Sequence, residues 1–324
     1  MARRVDVDDL VSRARDGSPR AVARLITLVE NAAPELRAIM AALGRHAGNA
    51  RIIGLTGSPG VGKSTSTSAL VKAFRAQGRR VGVLAVDPSS PFTGGALLGD
   101  RVRMQDHATD SEVYIRSMAS RGHLGGLAWA APQAIRVLDA AGCEVVLVET
   151  VGVGQAEVEV ASLADSTVVL VAPGMGDAIQ AAKAGILEVA DVFVVNKADR
   201  DGAQQAIRDL RNMTALAERG PEEWKPPIVA TVAHRGEGID EVVEALDKHY
   251  AWLAAGGTLR ARRLARARDE IEAIAVTALR ERMGDLHGDR RLDALADQVL
   301  SGDSDPYTAA DELLAALTSD SPPR

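Results

Sequence analysis

The hydrophobic pattern changes twice along this chain. Up to about residue 48, apolar residues recur at helical spacing, and Ser18-Pro19 fits a helix N-cap followed by a first helical residue. From there to about residue 255, short β-rich runs alternate with helical stretches, and the remainder is helical again. We therefore expect an N-terminal helical extension over 1–48, a central domain over 49–255 and a C-terminal helical arm over 256–324.

Seven short β-rich runs lie in the central part, and several of them are apolar on both faces. Strands of a parallel sheet that is covered by helices on both sides have this composition. The alternation of these runs with helical stretches predicts an α/β fold with a doubly wound, mostly parallel sheet. The runs are RIIGLT, RVGVLAVD, EVYIRS, EVVLVE, STVVLVA, DVFVVN and PIVAT.

Composition and charge narrow the class further. Only 3% of the 324 residues are aromatic, which favours helices and parallel strands over a β-sandwich. The net charge of -6 would not neutralise phosphates broadly, so we expect no nucleic-acid partner.

The arginine-rich first half of the long C-terminal helix is expected to be a solvated, ion-paired face. We find no membrane span and no signal peptide, so we expect a cytoplasmic protein, with Cys143 as a buried structural thiol.

The first predicted strand runs into GSPGVGKS, which matches the P-loop pattern G-x-x-x-x-G-K-[ST] in its strand-to-helix context. Its glycines allow a tight turn whose backbone N–H groups face phosphate oxygens, and the helix N-terminus adds partial positive charge. Lys63 can reach the β- and γ-phosphates, and the Ser64 hydroxyl can ligate Mg²⁺. The predicted nucleotide-binding residues here are Gly57, Ser58, Pro59, Gly60, Val61, Gly62, Lys63, Ser64 and Thr65.

A second motif, Asn-Lys-Ala-Asp at 196–199, ends the strand DVFVVN. Asp199 can accept hydrogen bonds from the ring N–H and the exocyclic amine of guanine, whereas adenine has no ring N–H at that place. Asn196 can contact the base edge, and the stem of Lys197 can lie against its face. The motif therefore favours GTP over ATP. A loop that could support the base, as a Ser-Ala loop does in many GTPases, is formed by Thr231, Val232 and Ala233.

Three carboxylates are candidates for a metal site together with Ser64. Asp87 and Glu149 end two predicted strands, and Asp100 closes the loop that follows the first of them. A carboxylate at a strand end is often only a turn or a helix cap. Two of them at strand ends of one nucleotide-binding sheet point instead to Mg²⁺, which prefers oxygen ligands and retains waters.

A glycine-rich loop over 173–185 holds Asp177 and Lys183. It could be a switch segment, and it could equally be a plain connection between a strand and a helix.

Taken together, these motifs resemble the MeaB/ArgK family of P-loop GTPases. The resemblance covers nearly the whole chain and rests on GSPGVGKST, VDPSSPFTGGALLGDRVRM, MASRGHLGGL, ETVGVGQAE, PGMGDAIQAAKAG and NKAD, in one order. It implies a GTP-hydrolysing, metallochaperone-like switch that associates with an adenosylcobalamin-dependent acyl-CoA mutase, usually methylmalonyl-CoA mutase. Such a protein gates cofactor loading and protects or reactivates the mutase. The resemblance also implies a homodimer built through the C-terminal arm.

The same resemblance gives roles to single residues. Asp87, Asp100 and Glu149 would be metal-linked switch carboxylates, and Asp177 and Lys183 would lie in a mobile switch that responds to the mutase. The catalytic set is then Lys63, Asp87, Glu149 and Lys183.

Hydrolysis by the isolated protein is expected to be weak. Val153 follows Gly152 at the position where Ras-like enzymes place a water-orienting Gln, and Gln155 comes two residues later. Two alternatives remain: a nickel-inserting GTPase of hydrogenase or urease maturation, and a GTP-dependent interaction module with little turnover. The first commonly carries Cys pairs or His-rich tracts, which this sequence lacks.

Overall fold

The structure is a computed structural model that describes residues 5–88, 107, 109–120, 130–150, 156–174, 188–216, 220, 223–283 and 290–319; for residues 87, 88, 119, 120, 156–159, 281–283 and 317–319 it describes the backbone alone. The chain forms two compact units, Met1–Arg263 and Leu264–Arg324. The three-part division at residues 48 and 255 stays a prediction.

Three helices begin the first unit: α1 (Val7–Arg15), α2 (Pro19–Glu30) and α3 (Leu36–Leu43). Ser18 caps α2 as predicted, because its Oγ accepts a hydrogen bond from the backbone N–H of Ala21 at 3.4 Å. The apolar sides of these helices are buried in one cluster with residues of the central sheet. The N-terminal helices therefore cover part of the sheet.

All seven predicted strands form one parallel sheet, which confirms the predicted fold class. The strand order is β3-β2-β4-β1-β5-β6-β7. The central strand β1 therefore lies between β4 and β5, where the strand order reverses and where ligands of such sheets bind beyond the carboxyl ends. The strands are β1 (Arg51–Thr56), β2 (Val81–Pro88), β3 (Val113–Ser120), β4 (Val145–Thr150), β5 (Ser166–Val171), β6 (Val192–Asn196) and β7 (Ile228–Thr231).

Helices cover both faces of this sheet. They are α4 (Lys63–Ala76), α5 (Ala131–Ala140), α6 (Ala156–Leu163), α7 (Ala203–Leu216) and α8 (Ile239–Ala255), with a 3-10 turn at Ala233–Arg235. One core cluster joins α1–α3 and α5 to the sheet, and a second joins α4 and α8 to it. Cys143, two residues before β4, is buried as predicted, and burial raises the pKa of its thiol.

The last three helices are α9 (Thr258–Met283), which begins in the first unit, α10 (Arg290–Ser301) and α11 (Pro306–Ser319). Within the second unit, Ala309 and Leu313 of α11 are buried. Ile271 and Leu279 of α9 are 66% and 58% exposed. Among the residues described, no helix combines the length and the apolar character needed to cross a membrane.

Candidate functional site

The loop between β1 and α4 turns so tightly that two of its positions accept only glycine. Gly57 has φ +140°, and a Cβ there would lie 2.2 Å from the carbonyl oxygen of Leu170 on β5. Gly62 has φ +98°, and a Cβ there would lie 2.4 Å from Nδ2 of Asn196. Gly62 is also the N-cap of α4 and offers no side chain to the first N–H groups of the helix. The loop thus presents a helix N-terminus suited to an anion.

Lys63, the first residue of α4, is held at this loop. Its side chain is nearly buried at 7% exposure, and Nζ donates to the carbonyl oxygens of Gly57 and of Ser58, the latter at 3.1 Å. A buried ammonium group is stable only with such acceptors. The contacts keep a positive charge at the loop whose N–H groups suit phosphate oxygens.

The carboxylate of Glu149, near the end of β4, reaches the first turns of α4. It is 1% exposed, and its Oε1 accepts a hydrogen bond from Ser64 Oγ at 2.6 Å. Its Oε2 lies 2.9 Å from Oγ1 of Thr67. Sequence reasoning misses Thr67; the signal for it is a hydroxyl three residues after Ser64, which lies on the same side of a helix.

The NKAD segment is tied to the P-loop through Asn196 and Lys197. Asn196 donates through Nδ2 to the carbonyl oxygen of Val61 at 2.8 Å. Its Oδ1 accepts from the backbone N–H of Ala233 at 3.1 Å and from Oγ1 of Thr231 at 3.2 Å. Lys197 has an unusual left-handed φ of +57°, and its Nζ donates to the carbonyl oxygen of Gly60 at 2.6 Å. The end of β6, the loop after β7 and the P-loop therefore form one connected frame.

Asp199 lies at the exposed end of this frame. Its Oδ2 is 3.7 Å from Nη2 of Arg235, whose side chain is 54% exposed. An ion pair this exposed contributes about 0–1 kcal/mol. The ion pair with Arg235 is therefore too weak to prevent the Asp199 carboxylate from binding a stronger hydrogen-bond donor.

The structure describes only some of the remaining predicted site residues. The backbone of Asp87 comes directly after Val86 in β2, and Val86 is in register with Thr150 of β4, beside Glu149. Asp87 and Glu149 thus come to the same edge of the sheet, as expected for neighbouring parallel strands. Outside the described residues lie Asp100, Gly152, Gln155, Asp177 and Lys183.

The oxygen atoms at the start of α4 fit a magnesium ion. Mg²⁺ is usually bound in such sites by one or two protein oxygens, waters and substrate phosphates. Ser64 Oγ and the Glu149 carboxylate are oxygen donors in contact with each other beside the P-loop. In the described part of the chain, no group of three or more His, Cys, Asp and Glu residues could hold a metal ion on its own.

A cavity of about 680 Å³ lies at the opposite edge of the sheet, next to Arg51 at the start of β1. The cavity is lined by arginine side chains and also by the carboxylates of Asp139 and Glu144. The Asp139 carboxylate accepts hydrogen bonds from the backbone N–H groups of residues 48–50. Helices α1 and α5 also end there, and helix C-termini repel anions. The nucleotide motifs meet at the other edge, so we place the candidate site at the P-loop.

A parallel sheet whose central strand leads into a P-loop, with an NKAD segment at the end of β6, defines a P-loop GTPase. The chain belongs to the MeaB family: the family described as "Methylmalonyl Co-A mutase-associated GTPase MeaB" matches residues 22–286.

Individual relatives agree with this assignment. A putative GTPase of Pyrococcus horikoshii is 47% identical over 313 residues, which cover 96% of this chain and 98% of that protein. The mitochondrial methylmalonic aciduria type A homolog of Mus musculus is 36% identical, over 82% of this chain and 65% of that protein. The crystal structure of a LAO/AO transport system kinase is similar with a TM-score of 0.74 and 28% identity, covering 98% and 99% of the two chains. The chain is therefore a hydrolase of the GTPase class that binds guanine nucleotide.

Proposed function

We propose that this GTPase is a switch for an adenosylcobalamin-dependent acyl-CoA mutase, with methylmalonyl-CoA mutase as the first candidate. In this role it gates cofactor loading and protects or reactivates the mutase. The description of the family as mutase-associated supports the proposal, as does the similarity to a methylmalonic aciduria type A homolog. We expect it to act in the cytoplasm as a homodimer.

The observation that carries the nucleotide part of the proposal is the 2.8 Å hydrogen bond from Asn196 Nδ2 to the carbonyl oxygen of Val61. It fixes the predicted base segment to the predicted phosphate loop. A single guanine nucleotide would then lie with its phosphates on Gly57–Thr65 and its base at Asn196, Lys197 and Asp199. Thr231, Val232 and Ala233 would support the base.

The chemistry proposed for the phosphate end uses charge and position. Lys63 balances charge on the β- and γ-phosphates, while Ser64 and Glu149 hold Mg²⁺, which neutralises phosphate charge when bound. Asp87 and Asp100 are proposed to complete the metal-linked carboxylates. Lys183, with Asp177, is proposed to join them when the partner is present.

Turnover by the isolated protein is proposed to be slow. Gly152 is followed by Val153 rather than by a water-orienting Gln, and Gln155 is two residues further on. A partner that reshapes this segment and the one holding Lys183 would then raise the rate.

The test is GTP turnover measured alone and with purified adenosylcobalamin-dependent mutases, with an acyl-CoA enzyme that uses no cobalamin as the control. We expect a methylmalonyl-CoA mutase to raise turnover and the control enzyme to leave it unchanged. Turnover that no cobalamin mutase alters would contradict the switch. GTP binding without turnover under every condition would favour an interaction module instead.

The proposed homodimer uses residues 256–324. The part of α9 in the second unit carries apolar side chains at Ile271, Ile274 and Leu279, and each of them is at least 39% exposed. A contiguous exposed apolar surface is characteristic of a protein–protein contact. A second copy of the same helix is the proposed occupant.

A further inference from the structure

The geometry points to Thr67 as a positioning residue that holds the Glu149 carboxylate in place for the metal site. This inference rests on the proposed Mg²⁺-dependent hydrolysis of GTP. Thr67 is fully buried on α4, and Glu149 is 1% exposed near the end of β4. Their contact joins the helix of the P-loop to the strand that carries the carboxylate.

Each oxygen of Glu149 meets a different hydroxyl of α4. Ser64 Oγ lies 2.6 Å from Oε1, and Thr67 Oγ1 lies 2.9 Å from Oε2. Ser64 and Thr67 are three residues apart, so their side chains project from the same side of the helix. The contact with Thr67 restricts rotation of the carboxylate about its last bond, in addition to the contact with Ser64.

The proton of the Thr67 hydroxyl has two possible acceptors. The carbonyl oxygen of Lys63 lies 3.0 Å away, slightly further than Oε2 of Glu149 at 2.9 Å. A hydrogen bond to a charged carboxylate is roughly twice as strong as one to a neutral carbonyl. The proton therefore goes to Glu149.

The length of the Glu149 side chain explains why the contact with Thr67 matters. A glutamate has one methylene, and one rotatable bond, more than an aspartate at the same strand end. Holding that extra bond in one rotamer costs conformational entropy. Thr67 offsets this cost with a β-branched side chain that has few rotamers of its own.

The orientation of Glu149 controls what Ser64 can offer to a metal ion. Because the Ser64 proton points to Oε1, the lone pairs of Ser64 Oγ are directed away from the carboxylate, on the side where they can face Mg²⁺. A carboxylate that rotates away would release that proton and misorient the lone pairs. Groups that orient metal ligands in this way typically change metal affinity about 10–100-fold when they are removed.

The test compares Thr67→Val, which keeps the shape but removes the hydroxyl, with Thr67→Ser, which restores the hydroxyl. The measured quantities are the Mg²⁺ concentration for half-maximal GTP turnover, the Mg²⁺ dependence of GDP release, and GDP affinity in EDTA. We expect Thr67→Val to need about tenfold more Mg²⁺, with GDP affinity in EDTA unchanged, and Thr67→Ser to stay within about twofold of the wild type.

Ser66→Ala is the matched control. Ser66 is the neighbouring buried hydroxyl on α4, and its Oγ has no hydrogen-bond partner among the described residues. Its removal is expected to leave the Mg²⁺ requirement unchanged. A thermal melt of each variant separates loss of stability from loss of metal affinity.

A double variant tests whether Thr67 acts through Glu149. In a Glu149→Asp background the shorter carboxylate has no need of Thr67, so Thr67→Val should change the Mg²⁺ requirement by less than about twofold. A Thr67→Val protein with a lowered melting temperature and a wild-type Mg²⁺ requirement would overturn the inference. Failure of the wild type to bind GTP, or Mg²⁺-independent turnover, would instead overturn the proposed function.

Discussion

At the scale of single residues, Lys63 is the side chain whose charge the proposed chemistry needs most. Its Nζ is held at the P-loop by the carbonyl oxygens of Gly57 and Ser58. We expect Lys63→Ala to lower GTP turnover at least about 100-fold, because the phosphate charge is no longer balanced in the transition state. Lys72→Ala, at an exposed position of the same helix, is the control. Wild-type affinity and rate in Lys63→Ala would refute the assignment.

Asp199 is the residue expected to select the base. Asp199→Asn replaces an acceptor of two guanine N–H groups by an amide, and GTP affinity should fall about tenfold or more. Xanthine carries an oxygen in place of the exocyclic amine of guanine, so affinity for xanthosine triphosphate should rise. Competition binding measures both, with the neighbouring exposed Asp201→Asn as the control. Unchanged selectivity for GTP would show that Asp199 does not read the base.

Residue patterns predict most of the candidate site because its motifs are contiguous. The P-loop and NKAD need only local spacing, and the structure brings them together through Asn196 and Val61. Thr67 could not be found in that way. The role of Thr67 depends on the position of Glu149, which lies 82 residues further along the chain. The order of the strands in the sheet determines that position.

At the scale of elements, the first turns of α9 differ from the expected solvated face. Arg262 donates to both carboxylate oxygens of Asp191 at 3.1 Å. Arg263 donates to Oδ2 of Asp165 at 2.7 Å and to Oδ1 at 3.2 Å. Both acids are buried just before β5 and β6. The charge pattern within one helix does not reveal partners that are distant in sequence.

Arg263 should therefore contribute to stability. Asp165 is 1% exposed, so Arg263→Ala removes two charge-assisted hydrogen bonds from a buried carboxylate, to which the N–H of Ile52 also donates. We expect a loss of about 2–3 kcal/mol in the free energy of unfolding by urea denaturation. Arg260→Ala, at an exposed position one turn earlier, should cost less than about 0.5 kcal/mol. Equal losses in the two variants would contradict the role of the pair.

The Asp191 carboxyl should make stability sensitive to acid. Burial alone would raise its pKa, but the contacts with His249 and Arg262 outweigh burial and hold the pKa below its usual value. The ionised Asp191 carboxylate therefore stabilises the folded protein at neutral pH. This stabilisation is lost as the pH falls from about 4, the ordinary pKa of an aspartate, through the lowered pKa of the folded state. Melting temperatures from pH 7 to 3 should show the advantage of the wild type over Asp191→Asn shrinking with acid. An advantage that stays constant over this range would count against the lowered pKa.

At the scale of the whole molecule, the prediction concerns assembly. If α9 carries the dimer contact, Ile271→Glu with Leu279→Glu should convert the dimer to a monomer, because charges would enter an apolar contact. Light scattering after size exclusion measures the mass. Leu216→Glu, at an 82% exposed position of α7, is the control. A wild-type mass in the double variant would place the contact elsewhere.

The sheet was more predictable than the second unit. Strands such as β4, buried at all six positions, have a continuous apolar composition that local sequence reveals. In the second unit, apolar residues recur at helical spacing but are not all buried. Ile271 and Leu279 are examples, because both are exposed in the single chain. Such a pattern predicts the helix, but it does not identify the surface that contacts the apolar side of that helix.

The buried state of Cys143 has a practical consequence for fluorescence labelling. Because the thiolate is the reactive form and burial raises the pKa of this thiol, maleimide dyes should react with it very slowly. The chain has no other cysteine. A cysteine introduced at an exposed position such as Ala254 would then be the one reactive thiol, so a dye could be attached at that site without first removing the native cysteine.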